Sequence, residues 1–155
     1  MTDEISDTPT AHLAQGDAFT WDDIPVLQYK EDGTHFRTVT RQVLFDGAPD
    51  LPCQLRYFEI AAEGHSTLER HQHRHLVMIL LGAGEALVGE QILPLSLHDV
   101  VEIPPGAWHQ FRATAGAALG FLCLVPVERD RPERPGPAEL EELRQTPEIA
   151  TFIRL

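Results

Sequence analysis

The sequence predicts an all-β protein, a small barrel or sandwich, and three observations carry that prediction. Short apolar or alternating segments recur from about Ile24 to Pro126, as in sandwiches and barrels. Turn residues separate them: Asp46-Gly47, Glu63-Gly64, Gly82-Ala83-Gly84, Gly89-Glu90, Pro104-Pro105-Gly106 and Ala115-Gly116. These residues supply the backbone angles and rigid bends that tight turns require. The run HLVMILL at 75–81 is apolar on both faces. Both faces are therefore expected to be covered, one by the barrel interior and one by a second sheet or another subunit.

Taken in order, residues 1–23 are expected to form an N-terminal arm, loose over 1–18, and the barrel to occupy 24–126. Strands are expected at 39–46, 53–61, 75–81, 85–93 (broken at Gly89-Glu90), 99–103, 109–114 and 119–126. Residues 127–155 hold a connection and short helices. The stretch VERDRPERPGP at 127–137 is charged and proline-rich, which reads as an exposed connection. PAELEELRQ follows as a short helix with Pro137 near its first turn. A second helix start has Thr146 as N-cap, Pro147 first and Glu148 in the first turn. These helices are expected to cap the barrel or to pack on a partner.

The 155 residues suit one domain, and 43% apolar residues suffice for a core. A net charge of -12 disfavours nucleic acid and anionic membrane surfaces as partners. Cys53 and Cys123 are too few for a disulfide framework and form no Cys-x-x-Cys pattern. The opening MTDEISDTPT is too acidic for a signal peptide, and the longest apolar run, Leu76 to Leu81, is far too short to span a bilayer. A cytoplasmic protein is expected.

The chemistry concentrates in Glu69-Arg-His71-Gln-His73-Arg-His75. On a strand these four alternate residues share a face. Imidazole nitrogens and a carboxylate oxygen are the usual ligands of zinc, manganese, iron and nickel. A second segment, Asp99 to Phe111, reads as strand, tight turn, strand and delivers His109, a ligand from across the barrel.

At these residues the chain resembles the cupin superfamily, over roughly residues 50–126. The second cupin motif is matched by Pro104-x-Gly106 and His109, with His98 where glycine is usual and Ala113 where asparagine is usual. The first motif aligns by its closing turn, Gly82-Ala83-Gly84. The usual glutamate then falls on His75 and the usual His-x-His on Glu69 and His71. The resemblance implies a double-stranded β-helix, or jelly-roll, barrel. It also implies one divalent transition metal on Glu69, His71, His75 and His109. A second alignment takes His71-x-His73 as the His-x-His pair. Manganese is the expected metal, with iron, nickel and zinc as alternatives.

The strings QLRYFEI, GHSTLERHQHRHLVMIL, PPGAWHQFRA and LGFLCLVP resemble a bacterial cupin subgroup that includes the 1-methylthio-D-xylulose 5-phosphate methylsulfurylases. That resemblance implies a manganese enzyme of methylthioadenosine salvage. Its substrate would pass a methylthio group to glutathione and leave 1-deoxy-D-xylulose 5-phosphate. Cys123 is the candidate thiol and His73 the candidate base. Arg37, Arg41 and Arg56 are candidate cations for the phosphate, with Lys30 and His35 nearby. Trp108 and one of Tyr57 and Phe58 are candidates to face the substrate. Other readings on the same scaffold are a sugar- or metabolite-binding module without turnover, an iron dioxygenase and a sugar isomerase. A homodimer is expected, as is common for this fold.

Overall fold

The computed structural model describes residues 12–29 and 37–155, the side chain of Arg37 excepted. The strands are β1 (Leu27–Gln28), β2 (Arg37–Phe45), β3 (Cys53–His65), β4 (His75–Leu81), β5 (Gly84–Val88), β6 (Gln91–Leu95), β7 (Val100–Ile103), β8 (His109–Ala113) and β9 (Leu119–Pro126). Helices α1 (Pro137–Arg144) and α2 (Pro147–Phe152) follow. The all-β prediction holds, and the strands lie close to where the alternation and turn residues put them.

Every pairing between these strands is antiparallel, in the order β6-β5-β8-β3-β9-β4-β7, with β2 on the other edge of β3. The long β3 makes the sheet curl on itself. Cys53 to Ile60 pair with β9, while His65 pairs with Arg112 of β8. Alternate residues of each strand point inward, so Phe58 and Ile60, Val77 and Ile79, Phe111 and Ala113, and Phe121 and Val125 share one buried core. Phe121 stacks between Phe58 and Phe111, at centroid distances of 5.7 and 4.8 Å. The far end of this interior forms a cavity where histidines and arginines meet Phe58, Phe111 and Phe121, and holds the site described below.

Of the two covers expected for β4, one is seen within the chain. Its inner face, Val77 and Ile79, is covered, but Leu76 and Met78 on the outer face are 41% and 39% exposed. Among the described residues no second sheet covers that face. The helices go elsewhere: Leu143, Ile149, Phe152 and Ile153 form a second core with Leu68 and Leu87. Buried Gln110 ties this layer down. It donates to the carbonyls of Ser66 and Arg154 and accepts from the Arg154 N–H, at 2.8–2.9 Å.

One correction concerns the histidine segment. Strand β4 begins only at His75, and residues 71–74 form a loop bent at Gln72-His73. Alternation therefore does not align Glu69, His71, His73 and His75 on one face. The bend serves a different pairing. Glu69 and His109 exchange both backbone hydrogen bonds, at 3.1 and 2.9 Å, and the Gly106 N–H donates to the His71 carbonyl at 2.8 Å. Gly106 has φ +77°, a conformation glycine adopts without steric cost, which lets its N–H turn toward that carbonyl.

Candidate metal centre

Backbone hydrogen bonds between the two histidine-bearing segments bring His71, His75 and His109 together. One ligand atom from each lies within 4.8 Å of the other two. Each ring is oriented from behind. The His71 Nδ1 donates to the His73 carbonyl at 2.8 Å, and the His109 Nδ1 donates to the Ala107 carbonyl at 3.0 Å. Nδ1 thus carries the proton in both rings, and Nε2 keeps its lone pair for another partner. In His75 the arrangement is reversed. Its Nε2 lies 2.7 Å from Cys123 Sγ and 3.3 Å from an Arg56 nitrogen, while its buried Nδ1 has no hydrogen-bond partner among the described residues.

A buried polar atom without a partner costs stability. A bond from Nδ1 to a cation would satisfy it, and Nε2 would then carry the ring proton and face Cys123. Electrostatics favour the same use. Burial first, then the neighbouring His109 and His73 rings, push the His71 pKa down to about 4. Burial, His109 and Arg56 hold His75 lower still. Both rings are neutral at pH 7, the form in which imidazole binds metal. Three imidazole nitrogen donors with room for further ligands fit a divalent transition metal.

The three rings line a cavity together with Glu69, His73, Arg41 and Arg56. Glu69 is at the cavity wall but outside the trio whose ligand atoms converge. The His73 ring stacks on that of His71, with centroids 3.7 Å apart. Its Nδ1 bonds Asp130 Oδ1 at 2.8 Å.

Cys123 is fully buried and does not line the cavity. It sits behind His75, with an Arg56 N–H donating to Sγ at 2.9 Å. Burial pushes its thiol pKa up, against the lowering influence of Arg56. Of the two aromatic neighbours on β3, Phe58 faces the cavity. Tyr57 points the other way, stacked on Phe19 at 5.4 Å and bonded through its hydroxyl to Glu59 at 3.0 Å. Trp108 is also away from the cavity, packed on the second core beneath the Arg70 guanidinium at 4.5 Å. Lys30, His35 and the Arg37 side chain lie outside the described residues.

Sequence reasoning missed Arg129 and Pro132 on the cavity wall, and Asp130 behind His73. All three come from the charged connection after β9. That segment is exposed, yet it runs along the histidine loop, where Arg70 and Glu133 exchange backbone hydrogen bonds at 3.0 and 2.8 Å. Mixed charge and proline carry no periodicity, so nothing in the local pattern announced this pairing.

The cupin domain pattern matches residues 56–125. The 1-methylthio-D-xylulose 5-phosphate methylsulfurylase of Rhodospirillum rubrum is 49% identical over 154 residues, 99% of this chain and 97% of that protein. A cupin 2 conserved barrel domain protein of Rhodopseudomonas palustris has a TM-score of 0.89 at 49% identity, covering 94% of this chain and 100% of that one. A cupin-2 domain from Rhodospirillum rubrum has a TM-score of 0.82 at 49% identity, covering 92% and 95%.

Proposed function

The chain belongs to the cupin family, and from that premise we propose that it is a 1-methylthio-D-xylulose 5-phosphate methylsulfurylase. The observation that carries this reading is 49% identity along 99% of the chain to a protein of that name. The three-imidazole cavity is its chemical counterpart. Members of a fold share architecture without sharing chemistry, so the site has to permit the reaction.

In this reading His71, His75 and His109 hold one divalent metal, manganese by the subgroup resemblance, with Glu69 placed to complete the set. When bound, the metal would act as a Lewis acid toward the ketose oxygens. The chain's own residues do the rest. Arg41 and Arg56 offer guanidinium groups to the phosphate, and Arg37 is proposed alongside them. Phe58, Phe111 and Phe121 give the methylthio group an apolar wall and keep water from it.

Glutathione supplies the attacking sulfur. Its thiol proton passes to His73, and the thiolate forms a bond to the methylthio sulfur. The bond from that sulfur to C1 breaks, and its electron pair stays on C1. C1 then takes the proton back from His73. The products are 1-deoxy-D-xylulose 5-phosphate and the methyl disulfide of glutathione, so the atoms balance without an external oxidant. A cytoplasmic setting, where glutathione is kept reduced, suits this chemistry. The uncovered outer face, where Leu76 pairs with Leu124 and Met78 with Val100, is proposed as the homodimer contact. Sedimentation should show a dimer that Met78→Lys converts to monomer; an unchanged dimer would place the contact elsewhere.

The reaction is tested by incubating the manganese-loaded protein with 1-methylthio-D-xylulose 5-phosphate and glutathione. Deoxyxylulose phosphate and the mixed disulfide should appear in equal amounts. Absence of both, with metal bound, would remove this reaction while leaving the metal centre in place.

A further inference from the structure

Asp130 makes three hydrogen bonds to the bend that carries His73. Its Oδ2 accepts the Gln72 N–H at 2.8 Å, and its Oδ1 accepts the His73 N–H at 3.0 Å and the His73 Nδ1–H at 2.8 Å. The carboxylate comes from the connection after β9, 57 residues further along the chain. Three residues further along the chain, the Glu133 and Arg70 backbone pair fastens the same connection to the start of the histidine loop, and Arg70 Nε bonds Glu133 at 3.1 Å. The segment is therefore fastened to the histidine loop at both Asp130 and Glu133.

We propose that Asp130 is the positioning residue for His73 as the proton carrier of the reaction. The geometry has three parts. Asp130 can only accept hydrogen bonds when ionised, so His73 Nδ1 must hold the ring proton. The remaining nitrogen, Nε2, then keeps its lone pair, on a ring that lines the cavity. The ring also cannot swing: it is stacked on His71 at 3.7 Å and nearly parallel to it, at 7°. A carboxylate behind an imidazole, fixing its tautomer and direction, is the arrangement by which a histidine can take a proton and give it back. In the reaction proposed above, one proton leaves the glutathione thiol and reaches C1. A single oriented nitrogen serves both transfers.

A purely structural role is the competing explanation, since Asp130 also caps two backbone N–H groups. The two roles separate experimentally. The inference rests on the proposed reaction, so one arm of the test is independent of turnover. In the first arm, manganese-loaded Asp130→Asn, His73→Gln and the double variant are assayed with 1-methylthio-D-xylulose 5-phosphate and glutathione, and their metal content is measured. Asp130→Asn should keep its metal and its KM and lose about 100-fold in kcat, within the usual range for acid–base catalysis. The double variant should lose no more than His73→Gln alone, because residues acting as one unit are non-additive. An unchanged kcat in Asp130→Asn, loss of its metal, or losses that multiply would overturn the proposal.

In the second arm, nitrogen-15 spectra of the zinc-loaded protein report the His73 tautomer. The wild type should show Nδ1–H, and Asp130→Asn should lose that preference. A wild-type His73 protonated on Nε2 would overturn the assignment. Wild-type protein that shows the Nδ1–H tautomer but turns over no substrate would instead count against the reaction, and leave the Asp130–His73 pairing standing.

Discussion

The His71 ring donates its Nδ1 proton to the main-chain carbonyl of His73, two residues on, at 2.8 Å. The bend that spoils the expected alternation is thus the feature that aims His71 Nε2 into the cavity. In the proposed centre His73 would contribute through its backbone carbonyl. His71→Ala and His109→Ala should therefore weaken manganese binding by more than about 100-fold, the upper end of what loss of an outer hydrogen-bond partner costs. His73→Gln should retain the metal. Titration calorimetry checks all three, and a metal-free His73→Gln would make His73 a ligand.

Cys123 packs against the back of His75 and does not reach the cavity. It is expected to hold the ring and not to touch substrate. Cys123→Ala should keep a measurable kcat when saturated with metal, and bind that metal about 10- to 100-fold more weakly. In the native wild type a thiol reagent should label half-buried Cys53 and leave buried Cys123 alone. Complete loss of kcat at saturating metal would restore Cys123 as a nucleophile.

Much of the fold was legible because the barrel's strands alternate inside and outside with turn residues between them. The motif position usually filled by glycine shows why His98 is informative. It has φ +70°, in the region glycine occupies freely and other residues occupy at a cost of about 1–2 kcal/mol. The backbone demand persists although the residue differs. Tyr57 and Phe58 were distinguishable only as opposite in direction; which one met the cavity depended on Phe19 stacking on Tyr57, a contact from 38 positions away that no local pattern encodes. Asp130 and Arg129 were hidden for the same reason.

Among the described residues the Arg41 Nε is buried without a hydrogen-bond partner, on a guanidinium that lines the cavity. A phosphate oxygen would satisfy it. A hydrogen bond to a charged group contributes roughly 1.5–3 kcal/mol, so Arg41→Met should raise KM for the sugar phosphate about 10- to 100-fold with little change in kcat. Inorganic phosphate should inhibit the wild type competitively and the variant weakly. An unchanged KM would move the phosphate elsewhere.

Burial, the Glu59 charge and the hydrogen bond to Glu59 all raise the Tyr57 hydroxyl pKa above its ordinary value of 10.0. The unfolded chain therefore releases this proton at lower pH than the folded one. The resulting stability is fully present below pH 10 and is lost as pH rises beyond it. Denaturant titrations should show this alkaline decline in the wild type and a shallower one in Tyr57→Phe. An equally steep decline in the variant would assign it to other groups.

Pulsed electron paramagnetic resonance of the manganese-loaded protein, with nitrogen-15 in its histidines, measures the metal shell most directly. Three coupled imidazole nitrogens are expected on one manganese, falling to two or to unbound metal in His109→Ala. A spectrum of fully hydrated manganese in the wild type, or an unaltered nitrogen count in His109→Ala, would contradict a centre built from His71, His75 and His109.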